Sequence, residues 1–155
     1  MPNSTLSLEQ ALVLLKPQAG FRFVDNFLAL SAETCIGSYT FRPNEVFYPG
    51  HFAKKPITPG VLLLEMMTQT ASGLWYYHKA ATSGLASCAA CCPLLVEGEL
   101  ECTGMVLPGD LVTATVMFGS WQDERLQAKV ELQSHAKVVA TSVVLLAHKD
   151  GVLGV

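Results

Sequence analysis

One long apolar segment, residues 60–78, constrains the fold of this chain more than any other feature. Pro59 and Gly60 open the segment, and proline is favoured at the entry of a helix because its fixed backbone angle suits the first turn. The segment is apolar on most of its sides, and such a helix must be enclosed by other elements rather than lie on a surface. The sequence therefore predicts a central helix around which the rest of the chain is wrapped.

Alternating apolar and polar residues predict strands on both sides of this helix. In the clearest case, residues 125–134, Leu126, Ala128, Val130 and Leu132 alternate with polar side chains. Short connections between the later strands favour an antiparallel meander. The predicted strands cover residues 21–31, 33–42, 94–103, 110–121, 125–134 and 137–148.

Two further segments complete the pattern. Residues 7–10 resemble a capping box and predict a short helix that runs to about Lys16, before Pro17. The small residues of 80–90 predict a loop. With 155 residues and no internal repeat, the chain suits one domain over residues 1–155. We therefore expect an α+β fold in which an antiparallel sheet is wrapped around one long helix.

His51 and Glu65 are the candidate catalytic residues. His51 follows a Pro-Gly turn, and Glu65 lies about one and a half turns into the predicted helix, between leucines and methionines. An apolar setting favours the neutral form of a carboxyl group because the anion is expensive to bury. An imidazole can accept a proton near neutral pH. Together they predict a proton-transfer couple, although either residue taken alone more often has a purely structural role.

The start of the helix supplies further candidates. The free N–H groups around Gly60 and Val61 form a positive helix end that suits a developing oxyanion. Gln69 comes four residues after Glu65, so it lies on the same helix face and can reach the carboxyl group. Base, acid and oxyanion donors are then all predicted within residues 51–65.

The segment from Gly50 to Gln69 resembles the 3-hydroxyacyl-acyl-carrier-protein dehydratases of the FabZ type, which have the hot-dog fold. The family pattern is Gly-His-Phe-Pro, two variable positions, Pro-Ile, one variable position, Pro-Gly-Val, then Leu-x-x-Glu and Ala-Gln. The isomerising FabA type usually has Asp at the acid position, so Glu65 favours the FabZ type. The matching residues here are Gly50-His51-Phe52, Pro56-Ile57, Pro59-Gly60-Val61, Leu62, Glu65 and Gln69, at the same spacing. Weaker similarity at Leu14-Leu15 with Pro17, Phe21–Asp25 and Val106–Asp110 extends the resemblance to roughly residues 8–148.

The resemblance implies a reaction and a role for each residue. His51, its ring oriented by the backbone carbonyl of Ile57, would remove the C2 proton of a (3R)-3-hydroxyacyl thioester. The Gly60 N–H and the helix end would hold the enolate oxygen. Glu65, positioned by Gln69, would protonate the departing hydroxyl group. The product is the trans-2-enoyl thioester, in fatty-acid or related polyketide or polyene synthesis.

The resemblance also implies partners. In this family the His and Glu of one site come from different subunits, so the expected unit is a homodimer or a multiple of dimers. The substrate is carried on the phosphopantetheine arm of acyl carrier protein, and neither a metal nor an organic cofactor is needed. Lys54 and Lys55, beside the expected site, are candidate docking residues for an acidic carrier, although solvation of a loop explains them equally well.

The chain departs from the family pattern outside the catalytic pair. Ala53 replaces the proline after His-Phe, residues 18–20 replace a His-Arg-Tyr-Pro segment, and Asn26 replaces a common arginine. Residues 102–105 replace the basic residues before the Pro-Gly-Asp turn, and Thr68 stands where the pattern has alanine. These departures leave the acyl length, the carrier and the pathway open.

Composition excludes several other classes. The chain is 50% hydrophobic and only 15% charged. A surface with so few charged residues predicts that part of it is buried against another subunit. A net charge of −3 without a basic run argues against nucleic-acid binding. No uninterrupted apolar run approaches the ~18–20 residues that span a bilayer, because Glu65, Thr68 and Gln69 interrupt the segment 60–78. The N-terminus lacks the basic start and apolar core of a signal peptide, which favours the cytoplasm.

Cysteines and aromatic residues have a structural interpretation first. Cys88 and Cys91 have C-x-x-C spacing, but no second pair or nearby histidine completes a zinc site. Trp75, Tyr76 and Tyr77 favour packing, with the lining of an acyl tunnel as the alternative.

Two other functions stay open. One is a hot-dog thioesterase in which the helix glutamate activates water. The other is a non-catalytic partner subunit of a heterodimeric dehydratase.

Overall fold

The computed structural model describes residues 5–148, which form two α-helices, six strands and two short 3-10 turns. The helices are α1 (Leu8–Leu14) and α2 (Gly60–Ser83), and the 3-10 turns lie at Tyr48–Gly50 and Leu85–Ser87. The strands are β1 (Asn26–Leu30), β2 (Thr34–Thr40), β3 (Leu94–Cys102), β4 (Leu111–Gln122), β5 (Arg125–Ser134) and β6 (Lys137–Ala147).

All six strands form one antiparallel sheet in the order β1-β2-β4-β5-β6-β3. Strands β4, β5 and β6 form the expected meander. The prediction was wrong for β3, which pairs with β6 at the far edge of the sheet instead of with β4. The connection over residues 103–110 is longer than a hairpin loop, so it can carry the chain from one side of the sheet to the other.

Helix α2 lies in the core, as its apolar character predicts. Met66, Met67, Ala71, Leu74 and Trp75 are completely buried. The sheet residues that face the helix are equally buried, among them Val112, Ala114, Val116, Leu126, Leu132, Val144 and Leu146. The α+β fold, with one antiparallel sheet wrapped around one long helix, is confirmed.

Helix α2 continues five residues beyond its predicted end, into the segment that was predicted to be a loop. Tertiary contacts account for the extension. Trp75 Nε1 donates to Glu124 O at 2.9 Å, and Lys79 forms an ion pair with the Glu124 carboxylate in the turn between β4 and β5. Lys79 and Ala80 are buried. The small residues of the last turn therefore stay helical because the turn of the β4–β5 hairpin holds them.

The elements before α2 are shorter than predicted. The Ser7–Gln10 capping box is present, but α1 ends at Leu14. Strand β1 begins at Asn26 rather than at residue 21. The segment between α1 and β1 is held by the Gln69 side chain instead of by strand pairing. Gln69 accepts a hydrogen bond from the Phe23 N–H and donates one to Phe21 O. Within residues 5–148, neither α1 nor α2 is both long enough and apolar enough to cross a membrane.

His78 couples the stability of the fold to pH. Its ring stacks on Phe118 and Trp121, with centroids 4.7 Å and 5.5 Å away, and lies 2.8 Å from the Ala32 carbonyl through Nε2. Burial lowers the pKa of His78 below its ordinary value, and the Ala32 hydrogen bond opposes this shift only in part. As the pH falls through about 6.5, His78 therefore becomes protonated in the unfolded chain before it becomes protonated in the folded chain.

We expect the melting temperature to fall as the pH is lowered through about 6.5, until the folded His78 also becomes protonated. A His78→Gln variant keeps a donor for Ala32 but cannot be protonated, so its melting temperature should fall less over the same pH range. Thermal melting of both proteins between about pH 7.5 and about pH 5, read by circular dichroism, provides the measurement. Equal pH dependence in the two proteins would contradict the assignment to His78.

Candidate active site

The loop that carries His51 is closed by contacts across its base. The His51 N–H donates to Tyr48 O at 3.1 Å, at the end of the 3-10 turn. The hydroxyl groups of Tyr48 and Thr58, both buried, are 2.6 Å apart, and the Thr58 N–H donates to Val106 O at 2.8 Å. Residues 48–58 therefore form a fixed loop rather than a free one.

The His51 ring has a defined tautomer. Its Nδ1 lies 2.7 Å from Ile57 O, and because a carbonyl oxygen can only accept, Nδ1 carries the hydrogen. This leaves Nε2 as the atom with a free lone pair. The ring is partly exposed, so Nε2 is the atom that can take a proton from a bound molecule.

The residue after His51 has an unusual backbone conformation. Phe52 has a φ of 59°, a left-handed angle that costs a bulky side chain roughly 1–3 kcal/mol. A Lys55 N–H bond to Phe52 O, at 2.9 Å, holds this turn. The Phe52 ring is 65% exposed and lies 4.7 Å from the His51 ring, centroid to centroid. The turn thus presents an uncovered apolar side chain beside the base.

The start of α2 presents backbone N–H groups. Leu62 and Leu63 both donate to Pro59 O, at 3.0 Å and 3.2 Å, and no side chain caps the helix. The N–H groups of Gly60 and Val61 remain at the positive end of the helix dipole, as the sequence predicts. A Cβ atom on Gly60 would lie 3.4 Å from the Cys102 sulfur, so a side chain there would crowd this end.

Gln69 fixes the orientation of Glu65. The Phe23 N–H can only donate and lies 2.7 Å from Gln69 Oε1, whereas Phe21 O can only accept and lies 2.8 Å from Gln69 Nε2. The amide therefore has one possible orientation, and Nε2 donates its second hydrogen to Glu65 Oε1 at 2.9 Å. Because Oε1 accepts this bond, a proton on the Glu65 carboxyl belongs on Oε2.

The surroundings of Glu65 are partly apolar, as the sequence suggested, but the methionines that follow it in the chain do not contribute to them. Glu65 is partly buried and lies on a different face of α2 from Met66 and Met67, which point into the core. Adjacent residues in a helix face different directions, and those three and four positions apart are neighbours. The neighbours of the carboxyl group along its own face are therefore the apolar residues Val61 and Leu62 toward the start of the helix and the polar residues Thr68 and Gln69 toward its end.

A cavity of about 340 Å³ extends from Glu65 along one face of α2. Helix residues Glu65, Thr68, Gln69, Ser72 and Tyr76 line it on one side. Segments 15–17 and 92–95 line the other sides. His51 is not among the lining residues, so the described part of one chain does not bring the candidate acid and base into one cavity.

Thr68, Ser72 and Tyr76 were not predicted as site residues, although their spacing contains the signal. They follow Glu65 at three, seven and eleven positions, which places them on one helical stripe. The Tyr76 hydroxyl donates to Cys91 O at 2.9 Å, and its ring is buried. Within residues 5–148 the Thr68 hydroxyl, although buried, has no hydrogen-bond partner. Of the aromatic cluster, Tyr76 lines this cavity, whereas Trp75 is a core residue.

The remaining candidates lie apart from this cavity. Lys54 and Lys55 are exposed in the His51 loop. Cys88 and Cys91 are buried, and burial raises the pKa of the Cys88 thiol. Across the described residues, no group of three or more His, Cys, Asp or Glu side chains is placed to hold a metal ion.

A known protein family matches most of this chain. The model of the FabA-like domain matches residues 15–145, which is most of the chain. The chain belongs to the FabA-like family. Within this family it is 32% identical to the 3-hydroxyacyl-acyl-carrier-protein dehydratase FabZ of Methylobacterium nodulans, over 70% of this chain and 67% of that one. It is 26% identical to the FabZ of Syntrophomonas wolfei, over 95% of this chain and 99% of the relative.

Solved structures show the same fold. A chain of the dehydratase heterocomplex ApeI:P from Xenorhabdus doucetiae superposes on this FabA-like chain with a TM-score of 0.73 and 14% identity, covering 91% of both. A mutant thioesterase from Pseudomonas aeruginosa gives a TM-score of 0.66 and 14% identity, covering 94% of this chain and 96% of the other. At these identities the likeness concerns the hot-dog fold alone.

Proposed function

We propose that this chain removes water from a (3R)-3-hydroxyacyl thioester carried by acyl carrier protein and forms the trans-2-enoyl thioester. The observation that carries the proposal is that hydrogen bonds leave one atom of His51 and one atom of Glu65 free for proton transfer. His51 has only Nε2 free to accept a proton, because Nδ1 is bound to Ile57 O. Glu65 has only Oε2 free to deliver one, because Oε1 accepts from Gln69. The similarity to FabZ dehydratases supports the same reaction.

In the proposed reaction the thioester acidifies the C2–H bond, and His51 Nε2 takes that proton. The negative charge moves to the thioester oxygen, where the N–H of Gly60 and the positive helix end stabilise it. The C2–C3 double bond forms as the C3–O bond breaks. Glu65 Oε2 gives its proton to the departing hydroxyl, which leaves as water. His51 then loses its proton and Glu65 regains one, which restores both groups.

The proposed site is shared between two subunits. The cavity beside Glu65 lacks the imidazole, and the His51 ring and Phe52 are open to another molecule. A second subunit that brings its own His51 loop to this cavity would complete the couple. The minimum active unit is then a homodimer or a multiple of dimers, although the likeness to one chain of a heterocomplex also admits an unlike second subunit.

The remaining partners follow from the substrate. The acyl chain enters on the phosphopantetheine arm of the carrier, and the proposed proton transfers require no metal or organic cofactor. Lys54 and Lys55 are exposed beside His51 and would attract an acidic carrier. We propose a cytoplasmic role in fatty-acid synthesis or in a related polyketide or polyene pathway.

Mass spectrometry of carrier-bound substrates tests this function. Carrier-bound 3-hydroxyacyl chains of several lengths, incubated with the protein, should lose the mass of one water molecule. Saturated acyl carriers without the hydroxyl group serve as the control and should remain intact. Hydrolysis of the saturated thioester would instead identify a thioesterase. No change in any substrate, with a fraction that gel filtration shows to be dimeric, would identify a non-catalytic subunit.

A complementation experiment tests the shared site. His51→Ala and Glu65→Gln proteins should each be inactive alone, whereas a mixture in which subunits exchange should regain activity. Each mixed dimer contains one site with both native residues, since the intact His51 and the intact Glu65 meet across the interface. The mixture should be assayed at a protein concentration at which light scattering shows dimers. A mixed dimer without activity would mean that each chain builds its own site.

A further inference from the structure

The Glu65 cavity extends from the carboxyl group toward the end of helix α2. The helix residues that line it beyond Glu65 are Thr68, Gln69, Ser72 and Tyr76, and among the described residues none of its lining comes from the part of α2 before Glu65. Tyr76 comes eleven residues after Glu65, and at a rise of about 1.5 Å per residue it lies about 16 Å further along the helix axis. The carboxyl group is therefore at one end of the cavity and Tyr76 is near the other end.

Strand β3 lies beside α2 and runs in the reverse direction. A Cβ atom on Gly60 would lie 3.4 Å from the Cys102 sulfur, and a Cβ atom on Gly98 would lie 3.5 Å from the Leu64 side chain. The last residues of β3 are thus next to the first residues of the helix. Leu94, the first residue of the strand, therefore lies toward the far end of the cavity, together with the segment before it.

A cation lines this far end. Lys16 belongs to the cavity lining and is partly buried. Its Nζ donates to Ala89 O at 2.6 Å, and two residues later Cys91 O accepts from the Tyr76 hydroxyl at 2.9 Å. One short segment therefore holds both the ammonium group and the Tyr76 hydroxyl. Burial raises the pKa of the Cys92 thiol and the positive charge of Lys16 opposes that shift, which also places the charge close to Cys92.

The charge of Lys16 has no anionic partner within residues 5–148. None of the ion pairs in that range includes Lys16, and the carboxylate among the described lining residues, Glu65, is at the other end of the cavity. Ala89 O takes one of the three ammonium hydrogens, so two donors remain. Leu15, Leu94 and other apolar lining residues lower the local dielectric constant. An anion inside the cavity would therefore be attracted more strongly than in water.

The proposed reaction sets the direction of the acyl chain in this cavity. The thioester oxygen would lie at the Gly60 N–H, and the C3 hydroxyl group would lie at Glu65, about one and a half turns further along α2. The carbons beyond C3 then continue in the same direction, toward Tyr76 and Lys16. Apolar side chains such as Leu94 would contact the methylene groups, and the end of the chain would meet the ammonium group.

We propose that Lys16 selects acyl chains whose far end carries a carboxylate, in preference to chains of the same length that end in a methyl group. The inference rests on the proposed function, because the positions of the thioester oxygen and the hydroxyl group give the direction of the chain. Lys16 is then a specificity-determining residue that is remote from the reacting atoms. A methyl end would leave the ammonium group without an anionic partner, whereas a carboxylate forms a charge-assisted hydrogen bond with it.

Binding of acyl-pantetheine amides tests this selection without turnover. These compounds lack the 3-hydroxyl group and the thioester, so neither dehydration nor thioester hydrolysis can consume them. Pairs of equal length, one ending in methyl and one in carboxylate, are titrated by isothermal titration calorimetry over a series of lengths. The proteins are wild type, Lys16→Met, which removes the charge, and Lys16→Arg, which keeps it. Lys137→Met, at an exposed position at the start of β6, is the matched control for the loss of one lysine.

At the optimal length we expect wild type to bind the carboxylate-ended compound about tenfold more tightly than its methyl-ended counterpart. Lys16→Met should lose this preference and still bind the methyl-ended compound as wild type does, whereas Lys16→Arg and Lys137→Met should keep the preference. Raising NaCl from about 20 mM to about 500 mM should reduce it.

Three results would overturn the selection by Lys16. They are equal Kd values for the two ends at every length, a preference that Lys16→Met retains, and no binding of either compound to folded wild type. The mass-spectrometric assay of dehydration can be run on methyl-ended chains alone. Failure of the selection and failure of the proposed reaction are therefore distinguishable.

Discussion

Replacing His51 with alanine is expected to lower the rate of dehydration by about 10²–10⁴-fold, the usual contribution of a general base. The substitution removes Nε2, the atom that would accept the C2 proton, and also the Nδ1 contact to Ile57 O. The loop should survive, because the Tyr48–Thr58 hydroxyl contact and the Thr58–Val106 backbone bond remain. Turnover of a carrier-bound 3-hydroxyacyl substrate, with a thermal melt of the same sample, gives both quantities.

The control for this variant is His135→Asn. His135 is exposed in the β5–β6 turn, where it contacts Asp110 at 2.9 Å, and asparagine tolerates its φ of 52°. This protein should keep near-native turnover. If the His51→Ala enzyme also turned over at a near-native rate while folded, His51 would not be the base and another group would have to remove the C2 proton.

Replacing Glu65 with glutamine is expected to abolish turnover to a similar extent while the fold is retained. The amide oxygen of the new side chain can accept the hydrogen bond from Gln69 Nε2, so the contact that orients position 65 is preserved. The new side chain has no carboxyl proton on the atom that replaces Oε2, and hydroxide would have to leave unprotonated. We expect a loss of about 10²–10⁴-fold in turnover with little change in melting temperature.

Two other outcomes for this variant are informative. Near-native turnover would show that Glu65 has only a structural role. A large fall in melting temperature would show that Glu65 is an ionised partner of a buried cation, because removing one member of such a pair leaves the other unpaired. Glu131→Gln, in strand β5, is the matched control for the loss of one carboxylate. It should change neither the turnover nor the melting temperature.

The sequence was most informative where the interactions are local. The helix entry at Pro59-Gly60, the Ser7–Gln10 capping box and the alternation in residues 125–134 each depend on neighbours within a few positions, and each element is present. The contact between the His51 ring and Ile57 O is also local, since it spans only six residues of one loop. The family pattern implied that contact, and the structure contains it.

The setting of Glu65 required the tertiary structure. Leu64 and Met66 are its neighbours along the chain, and they suggested an apolar pocket. The helix turns them away, and the carboxyl group meets Gln69, whose own orientation is fixed by Phe21 O and the Phe23 N–H more than forty residues earlier. Sequence spacing could place Gln69 on the right face, but only the folded chain determines which end of its amide points to Glu65.

The sequence by itself determined an enclosed central helix, six strands, and a histidine and a glutamate in a frame that matches a dehydratase family. These features follow from periodicity and turn chemistry, which act over a few residues. The tertiary structure decided that β3 lies at the sheet edge, and that α2 extends to Ser83 against the β4–β5 turn. It also decided that, among the described residues, His51 does not line the Glu65 cavity of its own chain. These outcomes depend on which distant segments pack together, because strand order and side-chain neighbours are set by the burial of the whole core rather than by any local pattern.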